Sequence, residues 1–252
     1  MNPMKTTSDK WQVAGDVTMA ATGRISRHPS RVTRPVFGFT LIELLVVISI
    51  MGVLAALTIP ALNAVKKAQY KKVARGELEK IQTALESFKA KYGTYPPANP
   101  GNPLVNSLYY ELTGTKTSDN GANYQPLDGA ASFPSADLQV FGVNGLINCS
   151  KGGVEDGSQA ENFLLALKPN SIGVYTNTSY PNNPLNILIT SVNGPDRNYK
   201  PLGGEDLNPF RYQYPGTHNP NSFDLWVQIV VSGKTNLICN WSREVQINSP
   251  LP

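Results

Sequence analysis

The sequence predicts an α+β protein: a long N-terminal α-helix, one half membrane-spanning and one half amphipathic, packed on a small C-terminal antiparallel β-sheet with a loop-rich insert. Three observations predict it. Phe39 to Ile59 is an apolar run of 21 residues with a single charge, Glu43. Apolar residues then recur at spacings of three and four as far as Tyr92, and three short alternating segments lie near the C-terminus. The division that follows is a basic leader over 1–38, a membrane or assembly helix over 39–62, a stalk helix over 63–92 and a globular head over 93–252.

The leader holds the whole charge imbalance. The chain is 40% hydrophobic and 16% charged, as folded proteins are, with a net charge of +4. Lys5, Lys10, Arg24, Arg27, Arg31 and Arg34 face only Asp9 and Asp16 in residues 1–38, so residues 39–252 carry 16 basic and 16 acidic side chains. A chain without the leader is formally neutral, and no nucleic-acid partner is expected. The only cysteines are Cys149 and Cys239 and the only histidines His28 and His218. That is too few for a cysteine zinc or iron–sulfur site or a histidine cluster, while one disulfide stays open outside the cytosol.

The apolar run sets the next element. At about 1.5 Å per residue its helix covers about 30 Å, the thickness of a bilayer's hydrocarbon core. A secretory signal would have a shorter apolar run followed by a small-residue cleavage site, and neither is present. Glu43 is the informative residue, because a carboxylate inside a membrane helix costs about 3 kcal/mol unless it finds a partner. No basic residue lies between Phe39 and Lys66. The nearest cation would be an α-amino group released by a cut just before Phe39.

The stretch RPVFGFTLIELLVVISIMGVLAALTIP resembles the class III signal and N-terminal helix of type IV pilins and pseudopilins. The family pattern is a basic leader ending in Gly, then Phe-Thr-Leu-Ile-Glu and an apolar helix; Gly38, Phe39 and Glu43 match it. The resemblance implies cleavage after Gly38 by prepilin peptidase, N-methylation of Phe39 by the same enzyme, and an assembly role for Glu43, Gly52 and Pro60. Around Gly52 and Pro60 related filaments locally unwind the helix, and Pro60 lacks the N–H a continuous helix would use. A leader of 38 residues is longer than many in the family, and Met4 or Met19 are alternative starts. Basic residues flank the run on both sides, so charge alone leaves the orientation open. A cytoplasmic N-terminus, a single pass through the bacterial inner membrane and a periplasmic head are what the resemblance implies.

Beyond Pro60, Leu78, Ile81, Leu85, Phe88 and Tyr92 share one helix face. Gly93 suits the left-handed position after a helix, and Pro96-Pro97 forbid continuation, so the helix ends near Tyr92. The basic run from Lys66 to Arg75 reads as a solvated helix face. Residues 98–205 are rich in Asn, Gly, Pro and Ser and read as a loop-rich insert. Its island 163–167 predicts a short helix and 187–189 a strand, while Gly152-Gly153 and Gly203-Gly204 read as turns.

Segments 208–216, 223–231 and 236–241 predict three antiparallel strands. This region is similar to the C-terminal part of the type II secretion major pseudopilin at Asp206, Asn208, Pro209, Phe210, Tyr212, Pro215, Gly216, Asp224 and Leu225. The family's acidic calcium-binding loop falls here on Ser232-Gly233-Lys234-Thr235-Asn236. Calcium asks for several oxygen ligands with carboxylate charge, and Asp224 is the only nearby carboxylate before Glu244. No cofactor is expected, with Asp224 the single calcium candidate.

The function these readings imply is that of a structural filament subunit, in the pseudopilus of a type II secretion system. Its partners would be prepilin peptidase/N-methyltransferase, further copies of itself, other pseudopilins and the inner-membrane assembly platform. The alternative is a minor pilin or a true type IV pilus subunit with a binding role in adhesion or DNA uptake. An enzyme would need convergent acid, base or nucleophile residues, and the sequence displays none.

Overall fold

In the computed structural model the residues described are 38–118, 121–151, 159–165, 167–177, 180–192, 199–202 and 207–250. Leader residues 1–37, both Gly-Gly pairs and Asp206 lie outside them. The chain divides into two compact units, one ending at Met51 and one beginning at Gly52. Helix α1, Leu41–Tyr92, contributes to both.

In the first unit Gly38, Phe39 and Thr40 precede α1, and every described residue is exposed. Leu41 is 80% exposed, Ile42 69% and Met51 63%, so among the described residues of this unit nothing covers this surface. In the second unit α1 continues without a break through Gly52 and Pro60. Its apolar surface stays open through Ile59, Leu62 and Val65, and burial begins at Ala74.

From there Ala74, Leu78, Ile81, Ala84, Leu85 and Phe88 are all buried, on the face the three-and-four spacing predicts. Burying the four large ones contributes about 6–12 kcal/mol before entropy is counted. Gly93, at φ 76°, donates its N–H to Lys89 O at 2.8 Å and ends the helix where the sequence places the end.

The C-terminal sheet has four antiparallel strands: β7 (Arg211–Gln213), β8 (Asp224–Val231), β9 (Lys234–Cys239) and β10 (Ser242–Ile247), in the order β10-β9-β8-β7. Leu225, Val227, Ile229 and Val231 of β8 join Ile238 of β9 in the cluster that contains the α1 face. β10 adds one strand to the three expected.

The insert holds more structure than its composition suggests. Helix α2 (Leu108–Thr113) is buried on all sides. A second sheet contains β1 (Thr115–Ser118), β2 (Asn123–Pro126), β3 (Phe133–Pro134) and β4 (Cys149–Lys151), in the order β3-β2-β1-β4 with β1 and β4 parallel. The hairpin of β5 (Ile172–Asn177) and β6 (Tyr180–Leu188) takes in Ile187 and Leu188, as expected of that island.

The other island is corrected: 163–165 and 167 are not helical. Asn162 Oδ1 accepts the Leu164 N–H at 2.8 Å, and Leu112 O accepts the Phe163 N–H at 2.8 Å. The first bond closes a local Asx turn and the second ties the segment to α2, while Phe163 packs edge-on against Phe88 and Tyr92.

The disulfide expectation is also corrected, since Cys149 and Cys239 are both free. They lie on strands of different sheets, and Cys239 is buried beside Trp226 and Leu237. Burial raises both thiols above the usual range.

Candidate functional site

The site is the start of α1. Gly38 and Phe39 are exposed and non-helical, and nothing lies within 4 Å of where a Gly38 side chain would project. The peptide bond between them is therefore open to an enzyme on the side described. Thr40 and Glu43 then close a reciprocal cap. Glu43 N–H donates to Thr40 Oγ1 at 3.3 Å, while Glu43 Oε2 accepts the Thr40 N–H at 2.9 Å and its hydroxyl at 2.7 Å. This T-x-x-E box satisfies two donors that a helix start leaves without intrahelical partners. The T-x-x-E spacing of Thr40 and Glu43 is the signal for this cap in the sequence.

The cap also bears on a cut before Phe39. A new ammonium there would stand beside the positive end of the helix dipole, an unfavourable placement. Glu43 is the only acidic residue of the first turn and offsets that charge.

The remaining polar groups of the apolar run are satisfied within the helix. Ser49 Oγ donates to Leu45 O at 2.7 Å and Thr58 Oγ1 to Leu54 O at 2.6 Å. Hydroxyls tied to carbonyls four residues back leave a surface that suits hydrocarbon. Gly52 has open space around its Cα, and at Pro60 the carbonyl of Ala56 loses its usual N–H partner while the helix continues.

Among the described residues no group of three or more His, Cys, Asp or Glu side chains is placed to hold a metal ion. Asp224 is fully buried and its carboxylate is already taken. Oδ2 accepts from His218 N–H at 2.8 Å and faces His218 Nδ1 at 3.1 Å; Oδ1 accepts from Asn219 N–H at 3.1 Å and Nδ2 at 3.0 Å. A Cβ on Gly216 would meet Asp224 Oδ1 at 2.6 Å, which is why glycine stands there. The segment expected to match a calcium loop is a two-residue turn between Val231 and Lys234, with Ser232 at φ 58° and Gly233 at φ 70°. Two positive φ values describe a type I′ hairpin, too tight to encircle a cation.

Three charged residues organise the head: Glu77 and Glu111, which the sequence does not mark, and Arg75, which departs from the solvated face read for Lys66 to Arg75. Arg75 of α1 donates to the carbonyls of Cys239, Ser242 and Arg243 at 2.6, 3.0 and 3.1 Å. Glu77 accepts from Thr190 Oγ1 at 2.8 Å, from Ser191 N–H at 3.1 Å and from the Ser191 hydroxyl. Glu111 of α2 is fully buried and accepts the backbone N–H groups of Ile147 and Asn148, each at 2.9 Å. Burial outweighs those bonds and pushes its carboxyl up to about 7.

Comparison with known proteins places this site. Residues 34–59 match the prokaryotic N-terminal methylation motif. The chain is 39% identical over 83 residues to type II secretion system core protein G of Pseudomonas aeruginosa, covering 33% of this chain and 56% of that one. The Escherichia coli core protein G is 41% identical over 64 residues, 25% of this chain and 44% of its own. Fimbrial protein EcpB of Eikenella corrodens is 41% identical over 86 residues, 33% and 53% of the two chains. The chain thus spans about half the length of these curated relatives. No solved structure matches it significantly. By its methylation motif, its capped apolar helix and these relatives, the chain is similar in its N-terminal region to the G-type pseudopilins of type II secretion.

Proposed function

We propose that this protein is a structural subunit of a type II secretion pseudopilus, anchored in the inner membrane by α1 before assembly, with its N-terminus cytoplasmic and its head periplasmic. The observation that carries this reading is the open surface of α1. An apolar helix that the described residues leave uncovered, and whose described polar side chains over 39–59 are bonded internally, needs lipid first and neighbouring helices later. Gly38 and Phe39 give prepilin peptidase an accessible bond, and the product loses the entire excess of positive charge. The partners that follow are that peptidase, further copies of this chain, other pseudopilins and an assembly platform. The role is structural, with no cofactor. Similarity to a fimbrial protein covers a third of this chain, as does that to the Pseudomonas core protein G, so coverage does not favour a pilus over a pseudopilus.

Mass spectrometry of the membrane-extracted protein tests the first step: the N-terminus should be Phe39, carrying one methyl group. An intact leader in cells with active prepilin peptidase would refute it. Sheared-fibre preparations should contain the processed chain, and its confinement to the membrane fraction would count against a filament role.

A further inference from the structure

We propose that Lys66, Lys67, Lys71 and Lys72 form a basic collar that binds anionic phospholipid headgroups in the bilayer leaflet on the head side. The proposal rests on the membrane-anchored reading above. Its first ground is charge: from Leu44 to Gly76 the chain has no acidic residue, yet five basic ones fall between Lys66 and Arg75. Arg75 is committed to backbone carbonyls of the head. The four lysines are not; among the described residues none pairs with a carboxylate, and Lys66, Lys67 and Lys72 are exposed, with Lys71 half-buried.

Position is the second ground. The lysines begin directly after Val65, the last large apolar residue of the open helix surface, and end before Ala74, where the head closes over α1. From Lys66 to Lys72 the helix rises about 9 Å, slightly more than the ~5–8 Å of headgroup layer on one side of a bilayer, so the run spans that layer. At about 100° per residue the four side chains spread over about 240° of the circumference. A solvated stripe would occupy one side; a ring suits a helix surrounded by lipid phosphates. Their long apolar stems can lie along the helix while the ammonium groups reach outward.

Spin-labelled lipids in bilayers holding the full chain test this. Trace spin-labelled phosphatidylglycerol and phosphatidylcholine are compared, and the motionally restricted fraction of each is measured. The wild-type chain should restrict phosphatidylglycerol preferentially. Replacing all four lysines by glutamine should lower that preference by about fivefold or more, the equivalent of at least one lysine–headgroup contact. The four-arginine chain should restore it. The leader's basic residues are common to all three chains, so the differences isolate the collar. Unchanged preference in the glutamine chain, with lipid still restricted around the helix, overturns the collar and leaves the membrane anchor standing. Unchanged preference with lower recovery in sheared fibres overturns it in favour of an acidic neighbouring subunit. Absence of restricted lipid of either kind overturns the membrane span itself and the collar with it.

Discussion

A carboxylate at the start of an apolar helix meets two demands, and substitutions separate them. Glu43 completes the cap with Thr40, and it is the only charge available to an ammonium at Phe39 of a neighbouring subunit. Glutamine can still cap a helix, because the amide oxygen accepts the same N–H, but it carries no charge. Valine supplies neither, and losing a cap costs about 1 kcal/mol. If pairing between subunits governs assembly, Glu43→Gln and Glu43→Val should insert and be cleaved normally yet both be depleted in sheared fibres relative to the membrane fraction. Wild-type incorporation of Glu43→Gln would assign Glu43 to the cap alone. Ser232 offers a simpler case. It holds φ 58° at the first position of a type I′ turn, where asparagine is strongly preferred. Ser232→Asn should stabilise the head by about 0.5–1 kcal/mol in denaturant unfolding followed by tryptophan fluorescence, and Ser232→Val should destabilise it.

At the scale of elements, the stalk half of α1 is docked by two charged side chains as well as by its apolar face. Arg75 takes the turn between β9 and β10; Glu77 takes the segment after β6. Arg75→Ala should lower the head's unfolding free energy by about 1–3 kcal/mol, since three carbonyls lose a charged donor. Arg75→Lys should recover only part, because an ammonium cannot reproduce the planar fork. Elements were legible in the sequence to the degree that one face met solvent. Leu78, Ile81, Leu85 and Phe88 show their period because the residues between them, apart from the small Ala84 on the same face, are exposed or half-buried, whereas α2 is buried from Leu108 to Thr113 and has no solvent-facing side to mark it. β10 fails for the opposite reason: an edge strand without a buried residue shows no alternation. Arg75 and Glu77 read as ordinary helix charges, since their partners lie more than a hundred residues away.

For the whole molecule, Glu111 makes head stability depend on pH. Its carboxyl titrates at about 7 in the folded chain, above the 4.5 of an unburied glutamate. The stability it contributes is therefore complete below about pH 4.5 and disappears as pH rises through 7. A displacement of this size corresponds to about 3 kcal/mol between those limits. Unfolding free energies at pH 5 and pH 8 should differ by an amount of that order in the wild type, and Glu111→Gln should flatten the profile. Equal slopes in both chains would show that another group is responsible. Nothing in the sequence distinguished Glu111 from an exposed helix acid; only the closure of α2 by the insert takes it out of water.

The edges of the C-terminal sheet bear on how many heads can share a small space. Subunits held side by side in a fibre sit at very high local concentration, where an open strand invites its neighbour to extend the sheet. β7, at one edge, is three residues long. β10, at the other, carries exposed Arg243 and Glu244 and breaks register with β9 between Ser242 and Gln246. A short edge on one side and a charged, irregular edge on the other deny each head a template for β-aggregation. Crowding in the proposed fibre can then press the subunits together without fusing their sheets.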